Sequence, residues 1–176
     1  SLKNHLTLIR EKTGLLLDSY FSASKLHWLL QHNKKAYELA QKGQLAFGTI
    51  DSFLIWRLTN GKVHATDVTN ASRTMLFNIK TETWDQELLD IFKIPTSILP
   101  DVNACDANFG LIDKEHLGIE IPITGVAGDQ QAALIGQNCW NEGMIKATFG
   151  TGAFLLLNMG SKLTLSNNKL LTTIAY

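Results

Sequence analysis

The 176-residue sequence has little cysteine and no cluster of histidines. Its two cysteines, Cys105 and Cys139, are too few for a disulfide framework, and their spacing fits no zinc-binding pattern. Because no histidine adjoins either one, we expect two small buried side chains rather than reactive thiols, in a protein of the reducing cytoplasm. The closest histidines, His27 and His32, are spaced so that they do not share a helical face. The sequence therefore predicts no metal site of its own.

Excess charge of one sign and long apolar runs are also missing. The 16 basic and 16 acidic side chains give no net charge at pH 7, which excludes the electrostatic footprint of a dedicated nucleic-acid binder. The longest apolar runs, such as 15–17 and 154–157, fall far short of the roughly 20 residues of a membrane-spanning helix, so we expect no membrane insertion. With 45% hydrophobic and 18% charged residues, the composition instead predicts a folded domain.

The two ends of the chain carry two further expectations. The first residues, beginning Ser1-Leu2, have no charged and apolar leader, so we expect no targeting signal there. The last residues, Leu170 to Tyr176, form an apolar, strand-like run with no terminating residues. We therefore expect the chain to continue in a longer protein.

Apolar residues at helical spacing, preceded by capping residues, predict helices in the first half of the chain. These helices begin at Ser22 or Ser24, after Asn33, after Thr49 and at a Thr83/Gln86 capping box, and they end near Leu30, Gly43, Asn60 and Lys93. Short strands are expected over 62–64 and 74–79.

The second half changes to apolar runs punctuated by glycine, which predict a buried strand, a helix and a β-hairpin. The strand is expected over 119–126, the helix over 130–137, and the two hairpin strands over 144–149 and 153–158. A domain boundary is expected where the helix ends and the hairpin begins, which divides the chain into residues 1–138 and 139–176.

Asp129 is the residue that local sequence most favours for catalysis. It lies where the predicted strand gives way to the predicted helix, which in open α/β sheets is the edge where ligands bind. Gly128 before it has no Cβ, so a substrate can approach the backbone closely. A carboxylate there can accept a proton from a hydroxyl, and Gln130 beside it can donate or accept a hydrogen bond. The alternative is that Asp129 is only the N-cap of the helix.

The turn Gly150-Thr151-Gly152 is a second candidate site. Two glycines allow a tight turn whose N–H groups point outward, and the Thr151 hydroxyl adds a donor, which together suit a phosphate oxygen. The turn matches neither the P-loop nor the dinucleotide-binding fingerprint, and an ordinary hairpin turn that binds nothing is the alternative. Its position soon after Asp129 would let a proton acceptor and a phosphate cradle face one cleft.

Tyr20 and Arg73 are weaker candidates. Tyr20 lies among hydroxyl side chains just before a helix, where an amphipathic aromatic ring suits polyol binding or only anchors the helix start. Arg73 follows a polar stretch and either binds an anion or satisfies the carbonyl groups of its loop.

Several blocks of sequence, collinear along the chain, carry a resemblance to one family. They are Thr13-Gly14-Leu15 with Asp18-Ser19-Tyr20-Phe21-Ser22, then 47–56, 69–78, Gly125-Val126-Ala127-Gly128-Asp129-Gln130-Gln131-Ala132-Ala133-Leu134, Phe149-Gly150-Thr151-Gly152-Ala153-Phe154, and 170–175. With these blocks the chain resembles an internal portion of the glycerol kinases, within the FGGY carbohydrate kinase family. Ser19 stands where a proline is common in the family, and Ala153 where a small cysteine is often seen.

The resemblance implies a fold, a reaction and a set of site residues. The fold is the α/β, ribonuclease H-like fold of actin and the hexokinases, present here in part. Residues 1–138 would belong to the polyol-binding domain and 139–176 would begin the ATP-binding domain. The reaction transfers the γ-phosphoryl group of ATP, with Mg²⁺, to glycerol, in a cytoplasmic enzyme expected to be a homo-dimer or homo-tetramer. Implied roles are a general base for Asp129, glycerol binding for Tyr20, Asp129, Gln130 and Phe154, and nucleotide binding for Gly150, Thr151 and Gly152.

The chain lacks other parts that the resemblance leads one to expect. The family's glycine-rich N-terminal hairpin, its glycerol-gripping Arg-Glu pair and Trp, and its adenine-binding segments have no counterpart in this sequence. We therefore expect the 176-residue chain alone to be inactive. Two alternatives stay open for the longer protein: a sibling kinase for another polyol or sugar, and a non-catalytic polyol-binding module.

Overall fold

A computed structural model describes residues 2–176 and has a mixed α/β architecture. Its helices are α1 Leu6–Thr13, α2 Ser22–His32, α3 Lys34–Gln41, α4 Ile50–Leu58, α5 Val68–Ala71, α6 Gln86–Phe92, α7 Lys114–Leu117 and α8 Asp129–Gly136, with 3-10 turns over Leu2–His5 and Thr96–Ile98. Its strands are β1 Ala65–Asp67, β2 Phe77–Asn78, β3 Thr83–Trp84, β4 Asp101–Asn103, β5 Leu111–Ile112, β6 Ile121–Pro122, β7 Ile145–Phe149 and β8 Ala153–Leu157. No helix within residues 2–176 is both long enough and apolar enough to span a membrane.

The strands pair two by two. β1 runs parallel to β4, with Thr66 opposite Val102, and the pairs β2–β3, β5–β6 and β7–β8 are antiparallel. The β7–β8 hairpin is the longest pair, and its register places Lys146 opposite Leu156 and Thr148 opposite Phe154. Residues directly opposite in such a pair share one face, so these four side chains lie on the same side of the hairpin.

The main hydrophobic core lies where α1, α2 and α6 meet. Ile9 of α1, Leu26 of α2, and Leu88 and Phe92 of α6 are buried there. Full burial of one such side chain contributes about 1.5–3 kcal/mol, so this cluster is a main source of the stability of the first half of the chain.

The predicted helices are confirmed, but two of their caps are different. Asn33 begins α3 as expected, and its Oδ1 accepts the N–H of Ala36 at 3.0 Å. Phe21, rather than Ser22 or Ser24, occupies the N-cap position of α2. Asp85 caps α6 by accepting the Leu88 N–H at 3.1 Å, so the predicted Thr83/Gln86 capping box is wrong. An Asp directly before the helix competes better for the free N–H groups than a Thr that pairs in β3.

Three predicted strands are displaced or shortened. Residues 62–64 form no strand, and the strand forms instead over Ala65–Asp67, where it can pair with β4. Met75 has a left-handed φ of 66°, which breaks the predicted strand 74–79 and leaves only β2. The buried strand expected over 119–126 is reduced to the exposed β6, whose Pro122 lacks a backbone donor. Asp129 is therefore preceded by a loop rather than by a buried strand.

The last residues of the chain pack against its first half. The Thr172 N–H donates to the Gly14 carbonyl at 2.9 Å, and Gly14 has a φ of 70°. A Cβ on Gly14 would lie only 2.4 Å from the Thr172 oxygen, so this contact requires glycine. Ile174 packs against a small cluster that includes Phe77. Residues 172–174 thus lie against the same body that holds α1, α5 and α8.

Candidate active site

Asp129 is the first residue of α8, and Gly128 is the N-cap. The Asp129 side chain is exposed, and Gln130 donates hydrogen bonds to both of its carboxylate oxygens. The Gln130 backbone N–H donates to Asp129 Oδ1 at 2.8 Å, and Gln130 Nε2 donates to Oδ2 at 3.2 Å. A carboxylate has about four acceptor positions, so Asp129 can still accept a proton or hydrogen bonds from a ligand. The alternative that Asp129 is the N-cap is wrong, although its carboxylate does bind one N–H of the first turn.

The backbone in front of Asp129 is fixed by a buried polar network. The Gly128 N–H donates to Thr69 Oγ1 at 2.7 Å, and the Thr69 hydroxyl donates to Asp67 Oδ2 at 2.5 Å. Thr69 and Asp67 are fully buried, and Asp67 caps α5. A Cβ on Gly128 would lie 2.6 Å from Oε1 of Gln131, so any other residue there would displace the end of the Gln131 side chain. The network ties the start of α8 to α5.

Gln131 anchors the same helix on its other side. It is buried, and its Nε2 donates to the Ile174 carbonyl at 3.1 Å. Nearby, the hydroxyls of Ser72 and Thr173 share a hydrogen bond of 2.8 Å. The first turn of α8 is thus held between α5 and residues 173–174.

The β7–β8 hairpin is joined to Asp129 through Lys146 and Gln130. Lys146 is only 1% exposed, and its Nζ donates to Gln130 Oε1 and, at 2.8 Å, to Thr148 Oγ1. Phe154 lies opposite Thr148 on the same hairpin face and is 42% exposed. Three residues that the sequence proposed for the polyol site, Asp129, Gln130 and Phe154, are therefore linked by one chain of contacts.

The turn at the tip of the hairpin differs in one respect from the expectation. The Gly150 N–H donates to the Gly152 carbonyl at 3.0 Å, so this donor closes the turn and does not point outward. The prediction of outward N–H groups is therefore wrong for Gly150. Thr151 is exposed, and its hydroxyl remains placed at the tip of the turn.

Tyr20 and Arg73 meet on the ring of Phe21. Tyr20 is 66% exposed and packs edge-on to Phe21, with ring centroids 5.4 Å apart. The Arg73 guanidinium lies 5.3 Å above the Phe21 ring. Burial lowers the pKa of Arg73 below its ordinary value, while Tyr20 and Asp129 act in the opposite direction. Arg73 therefore lies within electrostatic reach of both proposed site residues.

The cysteines agree with an inert role. Burial in the first place, and the neighbouring Asp67 carboxylate in the second, raise the pKa of the Cys105 thiol to about 12. Its Sγ donates to Asp67 Oδ2 at 3.2 Å. Cys105 is half-buried and Cys139 is buried.

Asp129 is also the group that would fit Mg²⁺. Residues 2–176 contain no group of three or more His, Cys, Asp or Glu side chains placed to hold a metal ion. Mg²⁺ in phosphoryl-transfer sites is held by one or two carboxylates together with the substrate's phosphates, so a full protein cage is not needed. The exposed carboxylate of Asp129 meets that requirement for one ligand.

Lys146 is the site residue that sequence analysis missed. The predicted strand is present, and its side chains alternate between two faces. Lys146 and Thr148 face α8, whereas Ile145, Ala147 and Phe149 lie on the other face, where Ile145 and Phe149 are 60% and 80% exposed. The burial of this lysine appears only when the hairpin packs against α8, so the sequence carries no local signal for it.

Known proteins resemble this chain over almost its whole length. The model of the FGGY family of carbohydrate kinases, N-terminal domain, matches residues 1–136. A glycerol kinase of Marinomonas sp. (strain MWYL1) is 58% identical over 168 residues, covering 96% of this chain and 34% of the relative. A glycerol kinase of Gluconobacter oxydans (strain 621H) is 60% identical over 169 residues, covering 96% and 33%. The chain thus spans about a third of the length of the curated relatives it matches.

Solved structures agree with this relationship. A glycerol kinase of Plasmodium falciparum with ADP superposes with a TM-score of 0.95 at 45% identity, covering all of this chain and 35% of that one. A gluconate kinase from Lactobacillus acidophilus superposes with a TM-score of 0.76 at 31% identity, covering 88% and 32%. The expected α/β, ribonuclease H-like fold, present in part, is confirmed. The chain belongs to the FGGY family of carbohydrate kinases.

Proposed function

We propose that this chain is part of an ATP-dependent glycerol kinase, which transfers the γ-phosphoryl group of ATP to a terminal hydroxyl of glycerol and forms sn-glycerol 3-phosphate. The observation that carries the proposal is the Asp129 carboxylate, exposed at the start of α8 and held by Gln130 on the side of the β7–β8 hairpin. The identity of about 58–60% to proteins named glycerol kinase supports the choice of substrate.

Asp129 acts on the acceptor hydroxyl in this proposal. Its carboxylate accepts the hydroxyl proton as the oxygen attacks the phosphoryl group, so no alkoxide has to form in advance. Gln130 and Tyr20 are polar groups that hydrogen-bond glycerol, and the Phe154 ring packs against its carbon atoms. Much of the catalysis then comes from positioning, because phosphoryl transfer depends on holding donor and acceptor in line.

Gly150, Thr151 and Gly152 contact the nucleotide phosphates in this proposal. The exposed Thr151 hydroxyl is the donor that the turn offers, since the Gly150 N–H is used inside it. The similarity to a structure that contains ADP supports nucleotide binding. ATP with Mg²⁺ supplies the phosphoryl group and charge neutralisation when it is bound.

We further propose the division into residues 1–138, of the polyol-binding domain, and 139–176, the beginning of the ATP-binding domain. The family model, which matches residues 1–136, supports this boundary. Cytoplasmic location and a homo-oligomer, a dimer or a tetramer, remain predictions for the longer protein.

A sibling kinase for another sugar is the second candidate. The similarity to a gluconate kinase at 31% identity and to a xylulose kinase at 30% identity, both from Lactobacillus acidophilus, favours it over unrelated activities. We rank a sibling kinase below a glycerol kinase, because these identities are lower than those to the glycerol kinases.

Substrate profiling of the complete protein distinguishes the candidates. A coupled assay measures ADP release with glycerol, xylulose or gluconate as acceptor, and glycerol is expected to give the highest kcat/KM. A higher kcat/KM with xylulose or gluconate would favour the sibling kinase. Calorimetric binding of glycerol without any turnover of ATP would favour a non-catalytic module. The 176-residue chain alone is expected to release no glycerol-dependent ADP, because it supplies only one wall of the cleft.

A further inference from the structure

Lys146 is a buried ammonium group whose hydrogen-bond partners are neutral. Its Nζ donates to the amide oxygen of Gln130 and to the hydroxyl of Thr148, and the side chain is 1% exposed. None of the ion pairs formed within residues 2–176 involves Lys146. Burying a charge in this way is costly, and burying an apolar side chain there would be cheaper.

The face of β7 that packs against α8 is polar. Lys146 and Thr148 lie on it, and the Lys146 Nζ donates to Gln130 Oε1 and, at 2.8 Å, to Thr148 Oγ1. An apolar side chain at position 146 would be buried at a lower cost in free energy, so this face departs from the sequence that maximises stability. Departures of this kind are expected at functional sites.

The chemistry of an ammonium group determines how Gln130 must be oriented. A lysine ammonium only donates hydrogen bonds, so the Gln130 side chain must turn its oxygen toward Lys146. The NH₂ group of the same amide then points away from Lys146, and it donates to Asp129 Oδ2 at 3.2 Å. The reversed amide would place NH₂ against the ammonium group and an oxygen against the carboxylate, and both contacts would be repulsive.

We propose that Lys146 is a positioning residue: by fixing the orientation of the Gln130 amide, it holds the Asp129 carboxylate in the position needed for phosphoryl transfer to glycerol. The catalytic part of this proposal rests on the proposed function, whereas the effect of Lys146 on Gln130 does not. Lys146 itself touches no substrate. Its loss should therefore affect the polyol side of the reaction and spare the nucleotide side.

The first test is kinetic and uses the complete protein. Lys146→Met removes the charge and keeps most of the side-chain length. We expect kcat/KM for glycerol to fall by about 10- to 100-fold, since misplacing a reacting group by about 1 Å costs on that order. KM for ATP should stay within about twofold of the original value. Lys162→Met, at an exposed lysine outside the site, is the matched control and should change neither.

A double-mutant cycle distinguishes action through Gln130 from simple seating of the hairpin. If Lys146 acts through Gln130, Lys146→Met should change kcat/KM by less than about threefold in a Gln130→Ala background. Additive losses would overturn the proposal, as would a rise in KM for ATP as large as the rise in KM for glycerol. Should Lys146→Met fail to fold, Lys146→Arg, which retains a donor-only cation, should preserve the KM for glycerol more closely than Lys146→Gln. Equal effects of these two variants would also overturn it.

The second test needs no activity. In the 176-residue chain, the side-chain amide signals of Gln130 can be assigned by their loss in Gln130→Ala and followed by ¹⁵N NMR. We expect Lys146→Met to shift these signals and speed their hydrogen exchange, while Lys162→Met leaves them unchanged. Unchanged Gln130 signals in Lys146→Met would refute the role of Lys146. If the complete protein proves not to phosphorylate glycerol, the proposed function fails, and this measurement still decides whether Lys146 orients Gln130.

Discussion

The hydroxyl of Thr69 connects the buried carboxylate of Asp67 to the backbone in front of Asp129. It donates to Asp67 Oδ2 at 2.5 Å and accepts the Gly128 N–H at 2.7 Å, and Thr69 is fully buried. Thr69→Val keeps the shape of the side chain and removes only these hydrogen bonds. We expect it to lower the free energy of unfolding and to loosen the start of α8.

The size of the loss follows from the groups that are left. The Gly128 N–H would stay buried without a partner, which costs about 1–3 kcal/mol. Asp67 would lose one charge-assisted hydrogen bond, which contributes about 1.5–3 kcal/mol to stability. Its carboxylate would keep the hydrogen bonds from the N–H groups of Thr69 and Asn70 and from the Asn70 side chain, so we take the lower end of that range, about 1.5 kcal/mol. The expected total is about 2.5–4.5 kcal/mol.

Urea unfolding of the 176-residue chain, followed by circular dichroism, measures this loss. With a slope of about 2 kcal/mol per M, the midpoint should fall by about 1–2 M. Thr69→Ser keeps the hydroxyl and deletes one methyl group, so it should cost only about 1 kcal/mol. Thr124→Val, at an exposed threonine, should stay within about 0.5 kcal/mol of the original chain. If Thr69→Val were no more destabilising than Thr69→Ser, the network would not hold the start of α8.

Three further outcomes are expected of the 176-residue chain. Burial would raise the pKa of Asp85, but hydrogen bonds from Lys12, Asn78 and the Leu88 N–H outweigh it and lower that pKa. A depressed folded-state pKa contributes stability that is present above the ordinary value of 3.8 and is lost as pH falls below it, so Asp85→Asn should flatten the acid limb of a stability–pH curve measured by circular dichroism. Cys105 should resist iodoacetamide at pH 8 in the folded chain and react in urea, because its thiol has a pKa of about 12; rapid native alkylation would contradict this. The apolar outer face of the hairpin, where Leu155 is 67% exposed, should cause concentration-dependent self-association in sedimentation experiments. Leu155→Lys should reduce this self-association more than the control Leu163→Lys, whose position lies outside the hairpin.

Sequence alone predicted the elements whose determinants are local. α3 begins after its cap Asn33, α4 contains the apolar stripe that follows Thr49, and the two hairpin strands flank a turn with two glycines. Each pattern lies within or next to the element it defines. Where two local patterns competed, the prediction failed: Asp85 rather than Thr83 caps α6, because it stands next to the helix.

The parts of the site that sequence alone missed depend on distant contacts. The Gly128 N–H reaches Thr69, which is 59 positions away, and Lys146 reaches Gln130 across 16 positions. No local spacing encodes such pairs, because they arise only when α8 packs against α5 and the hairpin folds over it. Asp129 could be singled out from sequence, but the groups that hold its carboxylate could not.

In the proposed reaction, Asp129 accepts the proton of the substrate hydroxyl. Asp129→Asn in the complete protein keeps the shape of the side chain and cannot take up that proton. Steady-state turnover with saturating glycerol and ATP is the direct measurement, paired with calorimetric glycerol binding. We expect kcat to fall by about 10² to 10⁴, the usual effect of losing a general base, while glycerol affinity changes by less than about tenfold. A variant that turns over at nearly the original rate would contradict this role and leave Asp129 as a residue of the helix start alone.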